Sequence, residues 1–169
     1  MNWDAIGAVG EIMGAVAVFL SLVYLGMQIR SNTTSMNTAS RQAIANEFRD
    51  WIRLTNEDNR VFATGLVRYP AMDFDTRATF CIQMHDLLLF YQSAHALFES
   101  GTLEEDTHNR YLTWVAAVML TPGAGEFWRE WMPSYNESMT SAVRERMLAG
   151  DLPEVTDFPQ YNLDLGSGS

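Results

Sequence analysis

One stretch limits what this chain can fold into. Ala5 to Met27 reads AIGAVGEIMGAVAVFLSLVYLGM, 23 residues with a single ionisable group, Glu11. As a helix it extends about 34 Å, enough to cross a hydrocarbon core ~30 Å thick. The run therefore predicts one membrane-spanning helix. Its main rival is the buried core helix of a soluble domain. A secretory signal fits poorly, because the N-terminal flank is MNWD and the exit is QIRSN, with neither a basic start nor a small-residue cleavage site.

Small residues within the run keep a spacing. Gly7, Gly10, Gly14, Ala17 and Ser21 fall at steps of three and four, so they share one helix face. Glycine inside a helix costs about 1 kcal/mol relative to alanine. Its repeated use predicts close backbone approach by another helix, and Gly10-x-x-x-Gly14 has the small-xxx-small spacing used for that purpose in lipid. Bulky Ile12, Phe19, Leu22 and Val23 lie mostly off this face and are expected to meet lipid. The plainer alternative is a lone anchor with ordinary glycine content.

Glu11 lies about 9 Å into the run. A carboxylate in lipid is expensive, so it normally faces protein, water or the interface. It borders the small-residue face, which fits an interhelical hydrogen bond or a ring of acids in an oligomer. A protonated or surface-seeking Glu is the simpler reading. Arg30, Arg41, Arg49 and Arg53 follow the run and Asp4 precedes it. Excess arginine marks the cytoplasmic side, so the N-terminus is expected outside and the remainder in the cytoplasm.

The opening NWDAIGAVGEIMGAVAVFLSLVYLGMQIRSNT resembles the N-terminus of a widespread group of small, uncharacterised bacterial single-pass membrane proteins. The likeness rests on an AIGA-x-GE-x-x-GA-x-AV-type span and a YL-x-x-QIR-x-NT-type exit. The later TPG…W…W stretch, Thr121 to Trp131, is similar too, so most of residues 2–148 are covered. The resemblance implies a bacterial inner-membrane location and the topology above. It implies no activity.

About 140 residues follow the span, enough for one domain with a core. The net charge is −10, and all 11 basic residues are arginine. An acidic body without a basic footprint argues against nucleic acid and against a polybasic lipid-binding patch. The single Cys81 excludes an internal disulfide framework. Gly166 to Ser169 reads as an appended flexible linker.

No Gly or Pro occurs between Met27 and Thr64, so the span is expected to continue as a helix. Carried onward, the small face becomes Tyr24, Gln28, Ser31, Ser35, Thr38, Gln42 and Ala45. Such a face suits a packed stalk or a wet lumen, and a plain polar linker is the alternative. Ile44, Phe48, Trp51, Ile52 and Thr55 then recur at helical spacing, opposite Arg49, Asp50 and Arg53. A short helix is expected near Asn59–Leu66. A strongly apolar one follows over Thr76–Glu99, capped by Asp73 or Asp75. Thr102 with Glu105 reads as a capping box for a helix to Leu120. Thr121-Pro122 opens a short helix through Trp131. Ser134 with Glu137 reads as a second capping box, for a helix to Leu148 with Gly150 beyond it. Asp151 to Asp164 reads as an acidic extended tail.

Chemistry-bearing motifs are sparse. Glu105-x-x-His108 has the spacing of half a di-metal site. The rest would have to come from His85, Asp86, His95 and Glu99, and no second pair of that spacing exists, so no metal is assigned. Cys81 has only Arg77 as a basic neighbour, too little for a reactive thiol. Trp114, Trp128 and Trp131 fit a core better than an apolar ligand pocket.

The sequence thus predicts an all-α chain. Its parts are a transmembrane anchor (1–29), a juxtamembrane stalk helix (30–56), a compact cytoplasmic helical bundle (57–150), the tail (151–165) and the linker (166–169). The expected function is non-enzymatic and cofactor-free. The module would self-associate, or dock on another membrane protein in the bilayer, through Gly7, Gly10, Gly14, Ala17 and Ser21. The alternative is a small homo-oligomeric ion channel with a Glu11 ring, in which Gln28, Ser31, Ser35 and Thr38 line the path.

Overall fold

A computed structural model describes the backbone of residues 3–155, with the side chains of Glu11 and of Met13 onward. Every regular element among them is helical. The α-helices are α1 (Trp3–Glu57), α2 (Asn59–Arg68), α3 (Phe74–Glu99), α4 (Glu105–Met119), α5 (Pro122–Trp131) and α6 (Glu137–Ala149). Two 3-10 turns, Tyr69–Ala71 and Met132–Ser134, carry the prolines that interrupt the chain. The all-α class expected from sequence is the class observed. The long N-terminal apolar helix and the bundle after it are both present.

The chain divides into two compact units, with the boundary between Ser40 and Arg41. This boundary falls inside the stretch expected as a stalk, because the last turns of α1 belong to the bundle's core. In the first unit the absence of helix breakers after Met27 lets α1 run without interruption. Its hydroxyl side chains turn back on their own helix. Thr33, Thr34, Ser35 and Thr38 each donate to the carbonyl four residues earlier, at 3.0 Å. That local bond satisfies a hydroxyl that lacks another partner.

In the second unit α3 is the central element. Phe80, Met84, Leu87, Leu88 and Tyr91 are fully buried along it. Each such side chain taken out of water contributes roughly 1.5–3 kcal/mol. The α1 stripe contributes Ile44, Trp51 and Thr55, all buried. The Trp51 indole N–H donates to the Gln83 carbonyl of α3 at 2.7 Å. Its ring meets Phe62 and Trp114 edge-on, with centroids 5.6 and 4.9 Å apart. Two glycines set the closest helix approach. A Cβ on Gly65 of α2 would strike the Phe80 ring, and one on Gly123 of α5 would strike the Gly65 carbonyl oxygen.

Helix ends show where local signals compete. Asp73 caps α3, its carboxylate accepting the Thr76 N–H at 3.1 Å, and hydrogen bonding from the Thr76 side chain and then its N–H holds the Asp73 carboxyl below its usual range. The two expected capping boxes do not form. After α3, Gly101 takes a left-handed φ of 72°, and the N–H groups of Thr102 and Leu103 both return to the Leu97 carbonyl. Thr102 is thereby committed to closing α3, and the N-cap of α4 falls two residues later, at Glu104. At α6, Ser134 is held in the 3-10 turn, and Asn136 caps instead, accepting from Ser138 N–H at 2.8 Å and Met139 N–H at 3.4 Å. Thr121 does precede Pro122, but its hydroxyl donates back to the Val118 carbonyl.

Gly150 ends α6 with a φ of 80°. The segment after it is not a free tail at its start. Arg146 pairs with Asp151 at 2.5 Å, Leu152 packs on the core, and Val155 is buried. The rest of the expected tail and the Gly166–Ser169 linker lie outside the described residues.

Candidate functional site

The first candidate is the small-residue face of α1. Gly14, Ala17 and Ser21 are all exposed, and a Cβ added at Gly14 would meet nothing within 4 Å. Ser21 donates its hydroxyl proton to the Ala17 carbonyl at 2.8 Å. Gln28 Nε2 donates to the Tyr24 hydroxyl at 2.9 Å, which joins two members of the extended stripe. Ser31, Ser35 and Thr38 follow on the same face, all exposed. Glu11 is exposed as well. Gly7, Gly10 and Ile12 lie in the helix, but their side-chain surroundings are outside the described residues. The bulky neighbours are equally uncovered: Met13 is 68% exposed and Leu22 62%. From Met13 this helix is long and apolar enough to cross a membrane, and none of its most apolar window is buried within the chain. The rival expectation of a buried core helix is not what is observed.

A second cluster lies within the bundle, and sequence reasoning did not assemble it. Tyr91, His95 and Glu99 of α3 meet His108 of α4 and Ser138 of α6. His108 Nε2 faces the Tyr91 hydroxyl at 3.1 Å and His95 Nδ1 at 3.0 Å. His95 Nε2 faces Ser138 Oγ at 3.0 Å, and Ser138 donates to Glu99 Oε1 at 2.5 Å. Phe98 stacks on the His108 ring, with centroids 4.0 Å apart. The advance signals were that His95, Glu99 and His108 stood together as metal candidates and that His95 and Glu99 lie four apart on the most apolar helix after the span.

A neutral imidazole nitrogen either donates or accepts. With its proton on Nε2, His108 donates to His95 Nδ1 beside the Tyr91 hydroxyl, and His95 Nε2–H donates to Ser138 Oγ, whose own proton goes to Glu99. The His108 Nδ1 has no partner that meets hydrogen-bond geometry among the described residues. Burial, followed by the neighbouring His95, holds the His108 pKa below its ordinary value. Burial also raises the Tyr91 phenol. The cluster ties three helices together with neutral groups at its inner end and a half-exposed carboxylate at its outer end. No group of three or more His, Cys, Asp or Glu positioned to hold a metal occurs among the described residues. Glu105 is exposed while His108 points into the core, so the Glu105-x-x-His108 pair does not converge.

The third feature is a surface cavity of about 640 Å³ beside α3 and α5. Of the three tryptophans considered for a pocket, only Trp131 lines it; Trp114 and Trp128 are buried in the core. Cys81 is also part of its wall, and burial pushes the thiol's pKa up, against thiolate reactivity. Nearby, His85 Nδ1 bonds to the Tyr135 hydroxyl and its ring meets Phe127 and Trp131 edge-on, at 5.1 and 5.0 Å. Burial lowers the His85 pKa and pushes that of Tyr135 up to about 12.

Comparison with protein-family models, with curated proteins and with solved structures gives no match to this chain.

Proposed function

We propose that this chain is a non-enzymatic, membrane-anchored helical module. It self-associates, or docks on a membrane complex, through the Gly7, Gly10, Gly14, Ala17 and Ser21 face of α1. One observation carries the reading: a long apolar helix offers its large side chains and Gly14 to the outside, while the bundle closes a core of its own from Ile44 onward. A soluble chain that left such a surface in water would aggregate. Lipid on the bulky faces and a second helix on the small face remove that cost. The back-bonded hydroxyls of Ser21, Ser35 and Thr38 suit the same surroundings, since each proton already has an acceptor in its own helix. The N-terminal resemblance to bacterial single-pass proteins and the arginines after the span support an inner-membrane location with the bundle in the cytoplasm.

The assembly is tested in bicelles. Gly10→Leu combined with Gly14→Leu should lower the oligomeric state, because two isobutyl groups hold the backbones apart. An unchanged assembly would transfer the role to another surface. Protease added to intact spheroplasts should spare the bundle, and digestion from outside would reverse the orientation. The channel alternative has its own test. Gly14 and Ala17 offer no ligand to an ion between Glu11 and Ser21, so planar bilayers should show no conductance that depends on Glu11; currents lost in Glu11→Gln would promote the channel.

A further inference from the structure

The cavity between the start of α3 and α5 has a built chemical character that the anchor role does not use. Its apolar wall is aromatic: Phe74, Tyr69 and Trp131 line it, and Phe74 is 76% exposed. A phenyl ring left that open is costly in water, and a ligand lying across it would recover apolar burial. Four charged side chains also line the space. Three of them are already engaged. Arg129 pairs with Glu126 at 2.6 Å. Glu130 accepts the Tyr69 hydroxyl at 2.8 Å, and Tyr69 in turn receives the Trp131 indole N–H at 3.4 Å. Arg77 is the exception: it is half-buried and has no ion pair or side-chain hydrogen bond among the described residues. A guanidinium presents five donors in a planar fork that matches a carboxylate.

We propose that this cavity binds a small monocarboxylate with an aromatic body, its carboxylate on Arg77 and its ring between Phe74 and Trp131. The volume of about 640 Å³ lies in the range of small-molecule sites. Glu130 and Glu126 stand at the same cavity, and the chain as a whole carries −10, so a second negative charge on the ligand is repelled. This favours a monoanion over a phosphate dianion. Tyr69, itself bonded to Glu130, accepts the Trp131 indole N–H, which ties that side of the cavity together.

Cys81, the chain's single cysteine, lines the same cavity and gives a site-specific readout. Full-length protein in detergent is alkylated with N-ethylmaleimide in the presence of 3-phenylpropionate, its neutral amide or 3-phenylpropylamine. The acid should slow Cys81 alkylation at about tenfold lower concentration than the amide, the worth of one charge-assisted hydrogen bond. In Arg77→Gln, the acid should lose that advantage while the amide protects as before. Equal protection by acid and amide in the unaltered protein would overturn the proposal, and so would an advantage that survives Arg77→Gln. Stronger protection by the amine would assign the site to Glu130 and a cation instead. Absence of protection by all three at millimolar concentration would leave the cavity without this role. The unaltered protein alone gives the acid–amide comparison, so the test stands even if the variant folds poorly.

Discussion

Glycine sits inside helices in both units of this protein, under opposite circumstances. At Gly65 and Gly123 an added Cβ would strike the Phe80 ring and the Gly65 carbonyl oxygen. At Gly14 and Gly26 it would meet nothing within 4 Å. Helical glycine costs about 1 kcal/mol against alanine in either place. In the bundle that cost is offset inside the chain, by the close crossing of α2 and α5. At Gly14 and Gly26 no contact among the described residues offsets it. The comparison teaches how to separate a glycine explained by its own fold from one whose reason lies beyond it. This is why the proposed helix partner is sought outside the chain.

The sharpest way to break the contrast is to add the same methyl group twice. Gly123→Ala drives a side-chain carbon into backbone, which cannot rotate away, and should destabilise the bundle by about 3 kcal/mol in urea unfolding. Gly14→Ala should leave the bundle's midpoint where it was. A tolerated Gly123→Ala would mean that α2 and α5 are not held together by that approach.

The polar side chains extend the contrast at a smaller scale. Asn136 satisfies two N–H groups at the start of α6. Asn136→Ala should cost about 1 kcal/mol. Ser35 in α1 only returns a proton to Ser31, so Ser35→Ala should leave helicity and bundle stability unchanged. Equal losses from the two substitutions would give Ser35 a partner that the single chain lacks.

Acid should produce the mildest effect, and only in the bundle. Burial holds His85 below its ordinary pKa, and burial with the nearby His95 does the same to His108. Asp86 opposes the first shift; Asn109 and Glu105 oppose the second. The unfolded chain therefore binds more protons than the folded one once pH falls through about 6.5, the unperturbed histidine value. Stability is complete above that pH and declines below it, so the melting temperature of the bundle should drop gradually from pH 7 to pH 5. His108→Gln should flatten the slope. A melting temperature that rises on acidification would reverse the assignment of neutral histidines.

The elements were legible because their signals were long and mutually consistent. The apolar run, the absence of Gly and Pro through Thr64, and the buried face from Ile44 to Thr55 all pointed to one continuous helix. Helix starts were less legible because a cap is a competition between neighbouring ends. Thr102 has the right chemistry for α4, but Gly101 had already folded its N–H back onto α3. Ser134 had the right spacing for α6, but Pro133 kept it in a 3-10 turn. The cluster of Tyr91, His95, His108 and Ser138 was beyond reach, since it depends on three helices meeting and no sequence interval encodes that meeting. Phe74 and Arg77 were hidden for a related reason. An exposed ring and an unpaired guanidinium are recognised only once their surroundings are known.

The Trp51 contacts also have a meaning in time. The indole waits for Phe62, then for the Gln83 carbonyl, then for Trp114, and these leave the ribosome in that order. At about 5–20 residues per second, the stretch of about 60 residues from Trp51 to Trp114 takes several seconds to make. Through that interval the last turns of α1 carry an unburied tryptophan next to a hydrophobic segment that is already complete. The newborn chain is at its most adhesive then, and stays so until α4 arrives.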